Sequence, residues 1–205
     1  MIRTALEFIQ KELEAYIVNR EQDPANYSIG NVVDLKSIVL PNGNINITDT
    51  THVTIMLVNI EEERREGKQS YYVPTDDKMY LRLNPPVEID LFILFVANNS
   101  DYPTALRDLS DVIEFFQSNP VFDSQKYPTL NASVADPVNK VWQLIERLSF
   151  KLVSLTFDQQ NNLWGMLSSK YMPSAVYRVK MLTVFETKSD EKVAAITEFD
   201  FVENS

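Results

Sequence analysis

The chain has 205 residues, of which 44% are hydrophobic and 23% charged, and this composition is typical of one folded domain rather than of a disordered chain. The chain has 19 Lys and Arg but 29 Asp and Glu, which gives a formal net charge of −10. This charge disfavours binding to nucleic acid, because a phosphate backbone is bound by clustered basic side chains. The lack of cysteine excludes disulfides, thiolate metal sites and a cysteine nucleophile.

The first segment predicts an amphipathic helix over about 2–20. Apolar residues recur there at the spacing of one helix face, and Pro24 ends the pattern because proline disfavours a helical conformation in the preceding residue. Glu7, Glu12 and Glu14 would interrupt the apolar stretch of a signal peptide, and no apolar run approaches the length of a membrane span. We therefore expect synthesis in the cytoplasm without a signal peptide, and no membrane insertion.

The next third of the chain is predicted to form strands. Residues 32–40 precede a turn cluster at 41–44, and residues 52–60 are rich in β-branched side chains. Residues 61–70 are too charged for a core, so they should form an exposed loop leading to a partner strand at 71–73. We expect a β-hairpin with a long loop.

Residues 87–97 are predicted to form the central strand. Their first half alternates apolar side chains with Glu88 and Asp90, whereas residues 92–96 are apolar on both faces. This is the pattern of a strand that runs from an exposed end into the middle of a covered sheet.

Two further helices follow. Pro103 occupies an early helical position, and an apolar stripe continues from it to the break at Asn119-Pro120: Ala105, Leu106, Leu109, Val112, Ile113 and Phe116. Residues 119–140 give no readable pattern. A capping-box spacing from Thr156 to Gln159 then begins a third helix over about 158–169, with Leu163, Trp164 and Leu167 on one side.

The remaining strands complete the predicted fold. Residues 141–155 alternate well enough for a strand, and 175–186 form another with one apolar face after Met172-Pro173. A final strand at 194–202 should pair with 175–186 across the polar turn between them. The fold class is therefore α/β (α+β), a single mixed or mostly antiparallel sheet flanked by about three helices, in one domain over 1–205.

Side chains suited to chemistry are scarce. His52 is the single histidine, and because its sequence neighbours contain no acid, it is interpreted as a structural or surface residue. Asp76-Asp77 and the acids at 61–63 lack the glycine-punctuated spacing of a calcium loop, so they are read as solvated loops. The sequence also lacks a phosphate-binding glycine motif. No catalytic, cofactor-binding or metal-binding residues are predicted.

Aromatic side chains divide into two groups. Most fall on predicted core faces: Phe92, Phe95, Phe115, Phe116, Trp142, Trp164 and Phe185. Four tyrosines do not, and exposed tyrosines suit a protein interface: Tyr71, Tyr72, Tyr127 and Tyr171.

Several motifs together carry a family resemblance. They are NLWGML at 162–167, KYMPS at 170–174, YRVKM at 177–181, IDLFILFVAN at 89–98, Asp101-Tyr102 with Leu106, and FFQSNPVF at 115–122. In this order they resemble the N-terminal domain of the cap, or tail-terminator, protein of phage-tail-like contractile injection systems. The likeness runs from the first helix to Val184.

The resemblance implies a structural role. Cap proteins of this kind are expected to form a ring of six copies at the end of the particle far from the baseplate, closing the inner tube and contacting the last sheath layer through strand addition. The implied partners are its own copies, the sheath protein and the inner tube protein, in a particle that is released or cell-anchored. Interface or scaffold residues are expected among Trp164, Tyr171, Pro173, Tyr177, Tyr71, Tyr72 and Phe199.

Two other functions stay open at this point. A soluble adaptor of the same particle, binding cargo or an assembly factor without closing a ring, is the first alternative. An enzyme is the second, and it is disfavoured because the sequence offers one histidine and no paired acids in a defensible geometry.

Overall fold

A computed structural model describes residues 1–47, 51–62, 88–137 and 143–183, together with the backbone of 71–74, 79–83 and 192–194. Three α-helices lie in these ranges: α1 (Ile2–Glu21), α2 (Tyr102–Ser118) and α3 (Phe157–Met166). They accompany a six-stranded mixed sheet, which confirms the predicted α+β class.

The six-stranded sheet has the order β1-β2-β5-β8-β7-β6. Its strands are β1 (Val33–Leu35), β2 (Val53–Glu62), β5 (Glu88–Ala97), β6 (Val121–Asp123), β7 (Ile145–Val153) and β8 (Ser174–Thr183). Only the pair of β1 and β2 is parallel, and the other neighbours are antiparallel. β5 lies between β2 and β8, so the prediction of a central strand is confirmed.

A second, three-stranded antiparallel sheet has the order β3-β4-β9, with β3 at Tyr71–Pro74, β4 at Met79–Leu83 and β9 at Lys192–Ala194. The predicted hairpin between 52–60 and 71–73 is therefore wrong. β2 pairs with β5 from Val53↔Ala97 to Glu62↔Ile89, and β3 pairs with β4. Adjacency along the chain does not impose a pairing, and β5 is a longer and more apolar partner for β2 than the four-residue β3.

The predicted pairing of the final strand with 175–186 is also wrong where the structure describes it. β9 pairs with β4, whereas both edges of β8 are already taken by β5 and β7. A strand has only two edges for main-chain hydrogen bonds, so β8 cannot accept a third neighbour. Residues 195–202, including Phe199, lie outside the described residues, as do 184–186.

Other strand boundaries shift. The predicted strand at 32–40 is reduced to β1, and beyond it Val39 forms an isolated bridge to Ile45 around a turn in which Gly43 has a φ of 82°. The predicted 141–155 strand is β7. The connection at 119–140, for which the sequence predicts no structure, contains the short β6 and a 3₁₀ helix at Pro128–Asn131. Both elements are too short to leave a periodic pattern.

α1 and α2 cover one face of the large sheet and form the main core with it. The ring of Phe116 lies 4.4 Å from Phe150, 4.7 Å from Tyr177 and 5.1 Å from Phe95, measured between centroids. Aromatic pairs at these distances add stabilisation beyond the apolar area they bury. Tyr127, predicted to be exposed, is partly buried because its ring packs edge-on against Phe122 at 5.0 Å.

α3 covers part of the opposite face. Trp164 and Leu167 pack there with strand residues Leu94, Val96 and Val176. The predicted capping box is present, since Gln159 N donates to the Thr156 hydroxyl at 3.2 Å and the Gln159 side chain accepts from Thr156 N at 3.0 Å. The predicted burial is confirmed for Phe95, Phe115, Phe116 and Trp164, whereas Phe92 is partly buried and Trp142 and Phe185 lie outside the described residues.

Candidate interaction surface

The segment from Trp164 to Pro173 joins α3 to β8. Trp164 is 4% exposed, and its ring meets that of Tyr171 edge-on at 6.0 Å, while Tyr171 itself is 60% exposed. The Pro173 carbonyl accepts a hydrogen bond from Ala97 N at 2.9 Å, which ties the start of β8 to the end of β5. Trp164 therefore packs α3 against the sheet, Pro173 joins the start of β8 to β5, and Tyr171 stays largely exposed.

Tyr177 lies inside the main core. It is 3% exposed, with its ring 5.6 Å from Phe95 and 4.7 Å from Phe116, and burial raises the pKa of its hydroxyl to about 12. Its place in the molecule is that of a scaffold residue. Tyr71 and Tyr72 belong to the backbone of β3, and nothing is described of their side chains.

His52 has an acid beside it that sequence proximity does not reveal. Asp108, on α2, accepts from His52 Nδ1 at 3.0 Å and from the Tyr27 hydroxyl at 2.7 Å. His52 Nε2 lies 3.1 Å from the carbonyl oxygen of Asn26, and Arg107 donates to the Tyr27 hydroxyl at 2.5 Å. This buried cluster joins the loop after α1, the start of β2 and α2.

The cluster is built for structure rather than for acid–base catalysis. Both nitrogens of His52 face acceptors, which favours the doubly protonated imidazole, and the hydrogen bond to Asp108 is the largest cause of the raised pKa of this side chain. An imidazolium whose two protons are both engaged offers no lone pair to a substrate. Its burial, with 8% of the residue exposed, adds a steric barrier.

Two acids predicted to face solvent are buried. Asp90 is 2% exposed and binds Arg178, and Glu88 is 9% exposed and lies 2.8 Å from Lys180 Nζ. The predicted strand at β5 is present, but the expected exposure of its two acids is wrong. Cations on the neighbouring strand β8 pair with these carboxylates and allow them to be buried. Within the described ranges, no three His, Asp or Glu side chains gather in a way that could hold a metal ion.

The outer edge of β2 is only partly paired. β1 accompanies Val53 to Ile55, and the last main-chain bond between them runs from Lys36 N to Ile55 O at 3.2 Å. Beyond Ile55, no strand of the described residues lies on that side of β2. An open groove of about 420 Å³ marks the point of divergence, lined by Leu35, Lys36, Ser37, Ile55, Met56 and Leu57.

Large apolar side chains are exposed around α3 and β2. Phe157 at the start of α3 is 91% exposed and Met166 at its end 66%, while Ile60 near the end of β2 is 47% exposed. The sequence does not predict these three exposed side chains, because a single apolar residue at the end of a helix or strand leaves no periodic signal. Among the described helices, none has the length and apolar character needed to cross a bilayer.

Comparisons with known proteins bear on the identity of this chain. The sequence profile described as the Pvc16 N-terminal domain matches residues 4–198. The sheath/tube terminator of PVC, an extracellular contractile injection system, solved in its extended state, is similar with a TM-score of 0.54 and 12% identity over 94% of this chain and 63% of that one. The tube-terminating cap of the anti-feeding prophage is similar with a TM-score of 0.53 and 10% identity over 92% and 60%. None of the curated proteins matches this chain.

The two structural matches establish the fold, and this chain spans only 63% and 60% of the length of those proteins. The profile match covers almost the whole chain and establishes the family. The chain therefore belongs to the Pvc16 N-terminal domain family, which confirms the resemblance to cap proteins of contractile injection systems.

Proposed function

We propose that this protein is a structural cap that forms a homohexameric ring, terminates the inner tube of a contractile injection system and binds the last sheath layer by strand addition. Its similarity to a sheath/tube terminator and to a tube-terminating cap supports the role. The observation that carries the sheath contact is the open outer edge of β2 described above.

Strand addition needs main-chain groups that point outward in the plane of the sheet. Val53 N and Ile55 O both form hydrogen bonds on the β1 side, so the main-chain N–H and C=O groups of these two residues point away from β5. The alternation of an antiparallel pair carries this direction along β2 to Leu57, and beyond the register shift there to Ile60, which lies opposite Leu91. An incoming strand would continue the line of β1 and cover the groove.

The other end of the sheet offers less. β6 pairs with Arg147 to Ser149, and Phe150 N bonds to the Pro120 carbonyl, so only the last residues of β7 remain open on that side among the described residues. The edge of β2 from Met56 to Glu61 is about twice as long. A longer ladder supplies more main-chain hydrogen bonds, so β2 is the better acceptor for an arm.

Proline at Ile60 tests the sheath contact. Ile60→Pro removes one outward N–H at a strand edge, where proline is tolerated, whereas Ile60→Thr changes the side chain and keeps the donor. Both variants should fold, with matching circular dichroism. Ile60→Pro should fail to co-purify with sheath, and Ile60→Thr should retain binding.

Imaging tests the ring. Particles purified with a labelled chain should show six copies at the end far from the baseplate, and particles made without it should vary in length. Uniform, closed particles in the absence of the chain would contradict the cap role. A stable monomer that ignores sheath and binds one soluble partner would instead establish the adaptor.

A further inference from the structure

Four cations lie on the face of the sheet that α3 partly covers, in the part where no described helix packs over it. In β7 and β8, register places four cations on this face: Arg147, Lys151, Arg178 and Lys180. The side chains of Arg147, Arg178 and Lys180 are 51%, 47% and 40% exposed, and they form ion pairs with Asp123, Asp90 and Glu88. Lys151 is also exposed. We call these four residues the basic band.

The basic band includes an unfavourable contact. Lys151 lies directly opposite Arg178 in the pairing of β7 with β8, and like charges at opposed positions of a sheet repel each other. Arg178 is already paired with Asp90, whereas Lys151 makes no ion pair with any side chain in the described part of the chain. An external carboxylate beside Lys151 would supply the opposite charge that it lacks and offset its repulsion with Arg178.

The same molecule carries acidic residues at the end of β2, toward the opposite edge of the sheet from β7. Glu61 and Glu62 end β2 and are exposed, and Glu61 shares the face of the basic band because it is opposed to Asp90. β5 and β8 separate β2 from β7. At about 4.8 Å per strand, Glu61 and Lys151 lie at least about 14 Å apart within one molecule, so they cannot meet there.

We propose that the basic band of one copy receives the acidic end of β2, at Glu61, from the next copy in the ring. Two different patches at opposite sides of one sheet make a head-to-tail contact, and repeating that contact closes a ring when the rotation fits. The contact rests on the proposed cap function, since it needs neighbouring copies. It is compatible with strand addition at β2, because Glu61 projects from the sheet face while an added strand bonds in the plane.

The high net charge of the chain gives this contact a purpose. Copies that each carry −10 repel one another, so a ring needs local attraction at each junction. Complementary patches supply it and also fix the orientation of the neighbour. High salt screens the attraction at each junction, so the junctions should loosen even though the general repulsion between copies also weakens.

Disulfide crosslinking tests the contact directly, because the natural sequence has no cysteine. Intramolecular bridging is excluded in the Glu61→Cys/Lys151→Cys variant, since a disulfide requires Cα atoms within about 7 Å. Oxidised particles, and the isolated protein at high concentration, should give a ladder on non-reducing gels that ends at the closed ring. A Glu12→Cys/Lys151→Cys control, with one cysteine on α1, should give no ladder.

Charge reversal tests the electrostatics. Lys151→Glu should weaken self-association roughly tenfold at low salt, and Glu61→Lys in the same chain should restore it. Lys170→Glu makes the same charge change outside the basic band and should have little effect. A ring seen in images without a 61–151 crosslink would overturn this contact and leave the cap function standing, whereas absence of any ring would overturn both.

Discussion

The buried cluster around His52 makes the stability of this protein depend on pH in a defined direction. Since the hydrogen bond to Asp108 raises the pKa of the folded imidazole above its unfolded value of about 6.5, protonation favours the folded state. This stabilisation is complete below about pH 6.5 and is lost as pH rises through the folded pKa. Over that interval the free energy of unfolding should fall by up to about 1.4 kcal/mol per pH unit.

His52→Gln provides the comparison. Glutamine can still donate one hydrogen bond to Asp108, but it carries no charge and does not reach both Asp108 and the Asn26 carbonyl. Loss of one charge-assisted bond should cost about 2 kcal/mol at pH 6 and much less once the wild-type imidazole is neutral. Urea denaturation at intervals from pH 5.5 to 9.5 measures both profiles.

The difference between the two profiles isolates His52. The N-terminal amine, whose pKa burial lowers, titrates near this range in both proteins and therefore cancels. Asp111, whose pKa burial raises to about 6, contributes a separate fall at lower pH that is also common to both. Because this is the only histidine, a ¹⁵N NMR titration of its ring should give a pKa above the usual value of about 6.5, with both nitrogens protonated below that pKa. Parallel stability profiles, or a histidine pKa at or below the usual value, would refute the assignment.

Three further predictions concern stability in urea. Trp164→Ala should cost about 3–5 kcal/mol and Trp164→Phe clearly less, because the indole N–H has no hydrogen-bond partner among the described residues; equal costs would point to an acceptor for that N–H. Thr156→Ala should cost about 1 kcal/mol through loss of the cap, and Thr156→Ser almost nothing; a neutral alanine variant would show that α3 does not depend on its cap. Glu14→Ala should cost about 3 kcal/mol, since the Glu14 carboxylate accepts hydrogen bonds from the main-chain amides of Gly30, Val32 and Val33. The control Glu12→Ala should change the free energy of unfolding by no more than about 0.5 kcal/mol. Similar losses in both variants would contradict a specific role for Glu14.

The helices were predictable because their signals are local. Asp101 caps α2 by accepting from Thr104 N at 3.1 Å, and the Thr156 capping box begins α3, so each helix start depends on residues within four positions. Strand existence was also local, through alternation. Strand partners were not, since the choice of β5 over β3 for β2 depends on which apolar faces meet across 26 or more residues of chain.

The burial of charged side chains could not be predicted from the sequence for the same reason. Asp90 reads as a solvent-facing residue until Arg178 arrives on β8, and His52 reads as isolated until α2 brings Asp108, 56 residues later. In each pair the burial of one member depends on a partner that no spacing rule connects to it. Polar residues therefore gave the least reliable predictions of exposure, and apolar periodicity gave the most reliable ones.

The motifs that carried the family resemblance are mostly parts of the scaffold. Trp164 and Tyr177 are buried, and Pro173 is held by a main-chain hydrogen bond to β5. Packing restricts such positions to few residue types, so they identify a fold well and a binding partner poorly. Helices α1 and α2 close one face of the sheet and α3 closes part of the other. Among the residues that the structure describes, this leaves the edge of β2, the exposed side chains of α3 and the basic band open to partners. If this protein caps a tube, the residues that recognise its neighbours should lie on those surfaces, and substitutions there should impair assembly while leaving the fold intact.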